Sequence, residues 1–273
     1  MHGEPGFVGL LSIAACVALV ARWLKFPYTV ALVVAGLLLG LTHVISPPHL
    51  TKDLLFSVFL PGLLFEAAFH LNGRKFLQNK ITILTLAVPG VAVSVGLTAA
   101  ILAPLAPRLS MGGLSVTGAL VFAALIAATD PIAVVALFRS LGAPKRLTML
   151  VESESLLNDG TSVVVFGLVV AAAMGGSTSI AAGALQFLTV VGMGILVGVV
   201  IGFAVSAIIR RIDDPMIEIT LTTIAAYGSF ILAEELGYSG VIATVVAGMV
   251  FGNYGAPKGM TPTTRVAVET FWD

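Results

Sequence analysis

Residues 127–133, Ala127-Ala128-Thr129-Asp130-Pro131-Ile132-Ala133, set a carboxylate directly before a proline inside an apolar run that extends from Ser115 to Phe138. Pro131 has no N–H, so the carbonyl of Ala127 loses the partner that a continuous helix would give it. The proline ring also disfavours helical dihedrals at Asp130. A helix break is expected here, with freed carbonyls beside an acidic side chain. What the break means depends on its solvent, and composition identifies that solvent. The chain has 273 residues, 58% hydrophobic and only 10% charged, with a mean hydropathy of +1.06. An ordinary soluble domain is about 25% charged. So apolar a chain excludes a soluble globular enzyme and a disordered protein. Lys+Arg and Asp+Glu both number 14, which leaves no basic field for nucleic acid. The single cysteine, Cys16, excludes a disulfide framework or a thiolate metal cage and reads as a small core residue. What remains is an all-α polytopic membrane protein.

A bilayer-spanning helix needs about 20 mostly apolar residues. The sequence offers spans near Gly6–Ala21, Tyr28–Ile45, Leu54–Leu71, Ile81–Leu105, Ser115–Phe138, Leu147–Met174, Ala182–Ile209, Met216–Leu236 and Ser239–Phe251. Between them lie Ser46-Pro47-Pro48, Asn72-Gly73-Arg74-Lys75, Pro107-Arg108, Ala143-Pro144-Lys145-Arg146, Gly175-Gly176-Ser177 and Asp213-Asp214-Pro215. The first run is not read as a signal peptide, because Arg22 and Lys25 follow it instead of preceding it. Basic residues then fix an orientation. Alternate loops hold Arg22, Lys25, Arg74, Lys75, Lys80, Arg139, Lys145, Arg146, Arg210, Arg211, Lys258 and Arg265, while the opposite loops hold Lys52 and Arg108. This split of 12 to 2 puts the N-terminus outside and the basic loops in the cytoplasm.

The acids are distributed differently. Glu66, Asp130, Glu154 and Asp159 fall inside spans, and Glu152 and Glu218 near span ends. A carboxylate at membrane depth is costly and by default marks a pathway or a binding site. No base lies within the nine spans. Either these acids hold protons and cations, or their partner lies on a missing part of the chain. The break at Asp130-Pro131 is tolerated at that depth only where it lines a cavity or is buried in protein. A plain proline kink is the alternative, and an aspartate directly before the proline favours a site. In Glu152-Ser153-Glu154-Ser155-Leu156-Leu157-Asn158-Asp159-Gly160, Ser155 and Asp159 are four residues apart and share a helix face. That face offers a hydroxyl and a carboxylate, hard oxygen ligands suited to alkali and alkaline-earth cations. Glu154 and Asn158 form a second such pair beside it. A capping role for Glu152 or Ser153, with Asp159 incidental, is the bland alternative. Glu66 is a candidate site acid or else an interfacial one, about one turn before His70. His2, His43, His49 and His70 lie near interfaces at spacings that suit no metal.

Ala128-Thr129-Asp130-Pro131 and Glu154-Ser155-Leu156-Leu157-Asn158-Asp159-Gly160 together resemble the cation:proton antiporter-1 family, the bacterial and archaeal sodium/proton antiporters related to sodium/hydrogen exchangers. Leu60-Pro61-Gly62-Leu63-Leu64-Phe65-Glu66 and Gly237-Tyr238-Ser239-Gly240-Val241-Ile242-Ala243 resemble its third-helix and later Ser-Gly motifs. The resemblance runs over essentially the whole chain. It implies that Asp159 alternately binds the cation and a proton. It also implies that Asp130 and the Thr129 carbonyl sit where two broken helices cross, with Asn158 facing Asp130. Ser155 and Glu66 would complete the Na+ shell around Asp159 and the Thr129 carbonyl. Glu154 would pair with an arginine on a later helix. Ser153 departs from the glycine usual before this glutamate.

The same resemblance implies an inverted-repeat fold of about twelve to fourteen helices. This chain would then be an N-terminal piece that stops at the mouth of a tenth helix, before the second broken helix. Residues 1–80 would form interface helices, 81–176 the first half of the ion-binding core, and 177–273 further interface helices and the start of the tenth. The implied activity is exchange of Na+ (or Li+ or K+) for H+ by alternating access in a cell membrane, serving intracellular pH and sodium balance. It needs no cofactor, since both ions are substrates, and it is not enzymatic. Asn158 in place of a second acid suggests electroneutral 1:1 exchange. A homodimer in the bilayer is the family's expectation. The rival readings are a cation channel or ion sensor on the same scaffold and, further off, an intramembrane aspartyl protease using Asp130 and Asp159.

Overall fold

A computed structural model describes residues 4–24, 28–42, 51, 54–106, 114–131, 134–135, 137–138, 141–176 and 179–272. The Ser46-Pro47-Pro48 and Pro107-Arg108 connections, Lys25, Lys52, Arg139, His2, His43, His49, Ile132, Ala133, Ser177 and Asp273 lie outside the described residues. Among the described residues all regular structure is helical.

Two compact units divide the chain at Leu55. In the first, α1 (Glu4–Trp23) packs on α2 (Tyr28–Thr42). Cys16 is exposed on α1, not a core residue. In a membrane protein lipid is as apolar as the interior, so a small apolar side chain has no reason to turn inward.

The second unit holds the remaining helices. A π-helical turn, Leu55–Phe59, leads into α3 (Leu60–His70). Next comes α4 (Gly73–Leu105), which loosens into a π-helical turn at Leu86–Gly90. Pro89 lies in that turn and cannot donate to the helical ladder, which explains the local widening. The short α5 (Val116–Leu125) follows, then α6 (Lys145–Ala173), α7 (Ile180–Ile209) and α8 (Pro215–Glu235). The chain continues through α9 (Gly240–Gly259) and α10 (Pro262–Trp272). By length and apolar composition α4, α6, α7, α8 and α9 can each cross a bilayer, while α1, α2, α3 and α5 are shorter apolar helices. Leu97, Ile101, Leu185 and Leu188 are largely exposed, as lipid-facing side chains are.

Several ends differ from the sequence reading. Asn72-Gly73 is not a loop: Asn72 Oδ1 accepts from Lys75 N and starts α4, so Arg74, Lys75 and Lys80 ride on the first turns of the helix. Likewise α6 starts at Lys145, where Arg146 Nε donates to Asn79 Oδ1 of α4 at 3.1 Å. The ninth helix runs on past Phe251 through a π-helical turn, which puts Lys258 on the helix. Polar and basic residues here extend helices beyond their apolar stretch, which hydropathy alone ends too early.

Small side chains set the packing. Val91, Val95 and Ala99 of α4 meet Ala119, Ala123 and Ala124 of α5, with Val165, Phe166 and Val169 of α6 closing the cluster. A second group joins α3, α7, α8, α9 and α10 around Phe65, Phe69, Val205, Ile209, Ala226, Phe251 and Val268. At its centre is α9. Gly198 of α7 lies so close to the Ala243 carbonyl that no Cβ would fit. Such close small-residue contacts drive helix association where lipid offers no hydrophobic gain.

Candidate functional site

The expected break is present. α5 ends at Leu125, and Ile126 leaves helical geometry at φ −95°, ψ 7°. Residues 127–131 are non-helical, and hydrogen bonding resumes where Val135 N donates to the Pro131 carbonyl at 2.8 Å. Pro131 thus closes the non-helical stretch and opens the next turn.

The long helix α6 crosses this break. Ser155 Oγ donates to the Thr129 carbonyl at 3.0 Å. Asn158 Nδ2 donates to Thr129 Oγ1 at 3.0 Å and to Glu154 Oε1 at 3.3 Å. Asn158 Oδ1 accepts from Ser162 Oγ at 2.8 Å. The amide of Asn158 is therefore fully engaged, as a buried polar group must be. Ser155, Asn158 and Ser162 are all buried, whereas Ala128, Thr129 and Asp130 are exposed and Asp159 is half-buried. Asp159 follows Ser155 by one turn on α6. Ser155 and Asn158 thus bring the acidic stretch of α6 against the bent backbone that carries Asp130.

The structure disposes of the capping alternative. Lys145 opens α6, so Glu152 and Ser153 lie about two turns, and Asp159 about four turns, inside the helix. Ser153 is fully buried, and Glu152 lines a cleft with Lys145, Thr148 and Met149. Glu66 is half-buried on α3, whose Leu64 and Ala68 pack with Leu156 of α6. It is not among the groups joined by the hydrogen bonds above. Pro131 is partly buried at the break itself.

Sequence reasoning missed three participants. Ser162 follows Asn158 by four residues, a spacing that could have flagged it. The Thr129 hydroxyl is used as well as its carbonyl. Gly160, quoted only as part of a motif, makes room for Ile242, whose Cδ1 would lie 2.5 Å from any added Cβ. Asn253 is a further polar clamp, away from the site. It donates to the Leu71 carbonyl at 2.8 Å and accepts from Gly73 N at 2.7 Å, fixing the corner between α3 and α4.

The profile for "sodium/hydrogen exchanger, transmembrane" matches residues 10–273. The chain is 43% identical over 272 residues to the low-affinity Na(+)/H(+) antiporter NhaS1 of Synechocystis, covering 98% of this chain and 50% of that protein. It is 42% identical to the Na(+)/H(+) antiporter ApNhaP of Aphanothece halophytica, covering 98% of this chain and 51% of that protein. It is 38% identical to the Na(+)/H(+) antiporter NhaG of Bacillus atrophaeus, covering 99% of this chain and 52% of that protein. The chain therefore spans about half the length of these curated relatives. It is a multi-pass membrane protein of a transporter family, and no cofactor enters that family's chemistry. On a match that covers nearly its whole length, the chain belongs to the transmembrane sodium/hydrogen exchanger family.

Proposed function

We propose that this chain carries the first half of the ion site of a monovalent cation:proton antiporter, and that Asp159 is the carboxylate shared by the two ions. The observation that carries the reading is the docking of Ser155 and Asn158 onto Thr129, which brings the Asp159 face of α6 against a broken, proline-interrupted backbone. Discontinuous helices of this kind supply transporters with carbonyl ligands near the midplane. The cation would be held by Asp159, the Thr129 carbonyl, Ser155 and Glu66, all hard oxygen donors. Asp130 lies at the break, where Pro131 keeps the backbone out of the helix. Asn158 positions that backbone, and Glu154 accepts from Asn158 while awaiting a base on a later helix.

Exchange follows from exclusion. A carboxylate that binds Na+ releases its proton, and one that binds a proton cannot hold Na+. Li+ and K+ are the alternative cargoes. With Asn158 in place of a second acid, one charge moves each way and exchange is electroneutral. We assign residues 81–176 to a core and residues 1–80 and 177–273 to interface helices; the clustering of α4–α6 around Val95 and Ala123, and of α3 with α7–α10 around Phe65 and Phe251, supports this within the second unit, where α6 touches both groups. Rocking of one against the other would expose Asp159 to alternate sides. The exposed side of Asp130 is where the second broken helix of a relative-length protein would fit. We assign the N-terminus to the outside of a cell membrane, with the basic loops cytoplasmic, and a homodimeric assembly.

The test is sodium-driven pH change in vesicles carrying the full-length protein. Wild-type protein should acidify or alkalinise the lumen according to the sodium gradient, and Asp159→Asn should abolish the response. Full exchange by Asp159→Asn, or a rate that responds to an imposed membrane potential in wild type, would overturn the assignment or the electroneutrality respectively.

A further inference from the structure

Glu218 occupies the first turn of α8, just after the cap in which Asp214 Oδ1 accepts from Met216 N and Ile217 N. Read from sequence it is an acid near a span end. In the structure it is 0% exposed, and neither carboxylate oxygen has a hydrogen-bond partner among the described residues. Thr264 of α10 and the Asp214 backbone lie beside it, but neither makes a hydrogen bond to a carboxylate oxygen, and the Thr264 hydroxyl donates to the Thr261 carbonyl.

Among the described residues, the charged groups of its own approach and of α7, α9 and α10 supply it no hydrogen-bonded counter-ion. Asp213 and Asp214, on its own approach, have its own sign. From α10, Arg265 pairs with Glu269 at 2.7 Å on the exposed side. From α7 and α9, Arg210 and Lys258 both lie over the Tyr254 ring, at 4.6 and 4.3 Å. Glu218 is enclosed by this chain's own residues. A bare carboxylate so enclosed costs far more than a neutral acid. The closed packing therefore fits the protonated side chain and not the anion.

We propose that Glu218 is a proton-binding site separate from Asp159, occupied while α10 is docked on α8 and emptied to water when that joint opens. The release is a simple ionisation: the O–H bond breaks, the proton passes to solvent and the carboxylate is hydrated. Docking is then favoured at acid pH and lost as pH rises. A natural reporter is already in place, since Trp272 Nε1 at the end of α10 donates to Thr222 Oγ1, one turn beyond Glu218, at 3.0 Å.

The experiment uses full-length protein in lipid and measures no ion flux, so it stands or falls independently of the exchange reading. The Trp272 signal, isolated by subtraction of Trp272→Phe, is followed through a pH titration alongside infrared difference spectra. We expect a carboxylic-acid band that disappears in Glu218→Gln. In wild type the opening equilibrium should rise about tenfold per pH unit, as release of one proton requires, and in Glu218→Gln it should stay flat. Glu218→Met, neutral and of similar length, should behave as Glu218→Gln does. A variant profile that follows wild type, a Glu218 band of the ionised form in the docked state, or failure of both neutral variants to fold would overturn the proposal.

Discussion

Asn158 Nδ2 donates to Thr129 Oγ1 at 3.0 Å, so one side chain of α6 holds the broken segment that follows α5. The same amide orients Glu154 and receives Ser162, which makes it the hub of four residues. Replacing it with a hydrocarbon of similar size strips all three partners at once. Asn158→Leu is expected to destabilise the full-length protein by about 1–3 kcal/mol for each group left buried without a partner. Ser162→Ala, which leaves only Asn158 Oδ1 without a partner, should cost about 1–3 kcal/mol and less than Asn158→Leu, which strips three groups. Thermal unfolding in detergent compares the two; equal melting temperatures would show that Asn158 is not the hub.

Ser155 and Thr129 separate the roles of backbone and hydroxyl. Ser155→Ala removes the donor to the Thr129 carbonyl and one oxygen from the proposed cation shell. A loss of about 1 kcal/mol, the worth of a neutral hydrogen bond, would raise the KM for sodium about fivefold. Thr129→Val keeps the backbone carbonyl and should change KM little while lowering stability. Sodium dependence of exchange by the two variants in vesicles checks this. A large KM effect in Thr129→Val with none in Ser155→Ala would reverse the assignment.

A single shared carboxylate also predicts how pH enters. Protons should act as competitive inhibitors of sodium. At pH values well below the titration of the Asp159 carboxylate, the apparent KM should rise about tenfold per pH unit with the maximal rate unchanged. Initial rates over a grid of sodium concentrations and pH decide it. A falling maximal rate at constant KM would mean that the proton acts elsewhere.

Much of this was legible in sequence because membrane physics leaves few options. Apolar length gave the helices, and Asp130 before Pro131 gave the break. The i,i+4 spacing of Ser155 and Asp159 gave the face. What sequence could not give were contacts set by approach of distant helices. The Thr129 hydroxyl finds Asn158 only because α6 crosses the break, and Asn253 reaches Leu71 and Gly73 only because α9 packs beside α3. Helix ends were misplaced where polar residues extend a helix, as at Arg74 and Lys75, since hydropathy sees the membrane and not the hydrogen-bond ladder. Burial of Glu218 follows from the packing of α8 against α3, α7, α9 and α10, which no local pattern signals.

Two glycines close to α9 should respond differently to the same substitution. At Gly160 a methyl group would meet Ile242 Cδ1, the far end of a flexible side chain that can rotate away. At Gly198 it would meet the Ala243 carbonyl, which is held in the helix. Gly160→Ala should therefore cost no more than about 1 kcal/mol, near the low end for an overpacked core, and Gly198→Ala about 3 kcal/mol or more, since α7 must back away from α9. Because Gly198 lies outside the proposed ion site, Gly198→Ala should lower the melting temperature of the full-length protein without shifting the sodium KM of the fraction that remains folded. Equal stability of the two variants would show that α7 and α9 are not locked at this contact.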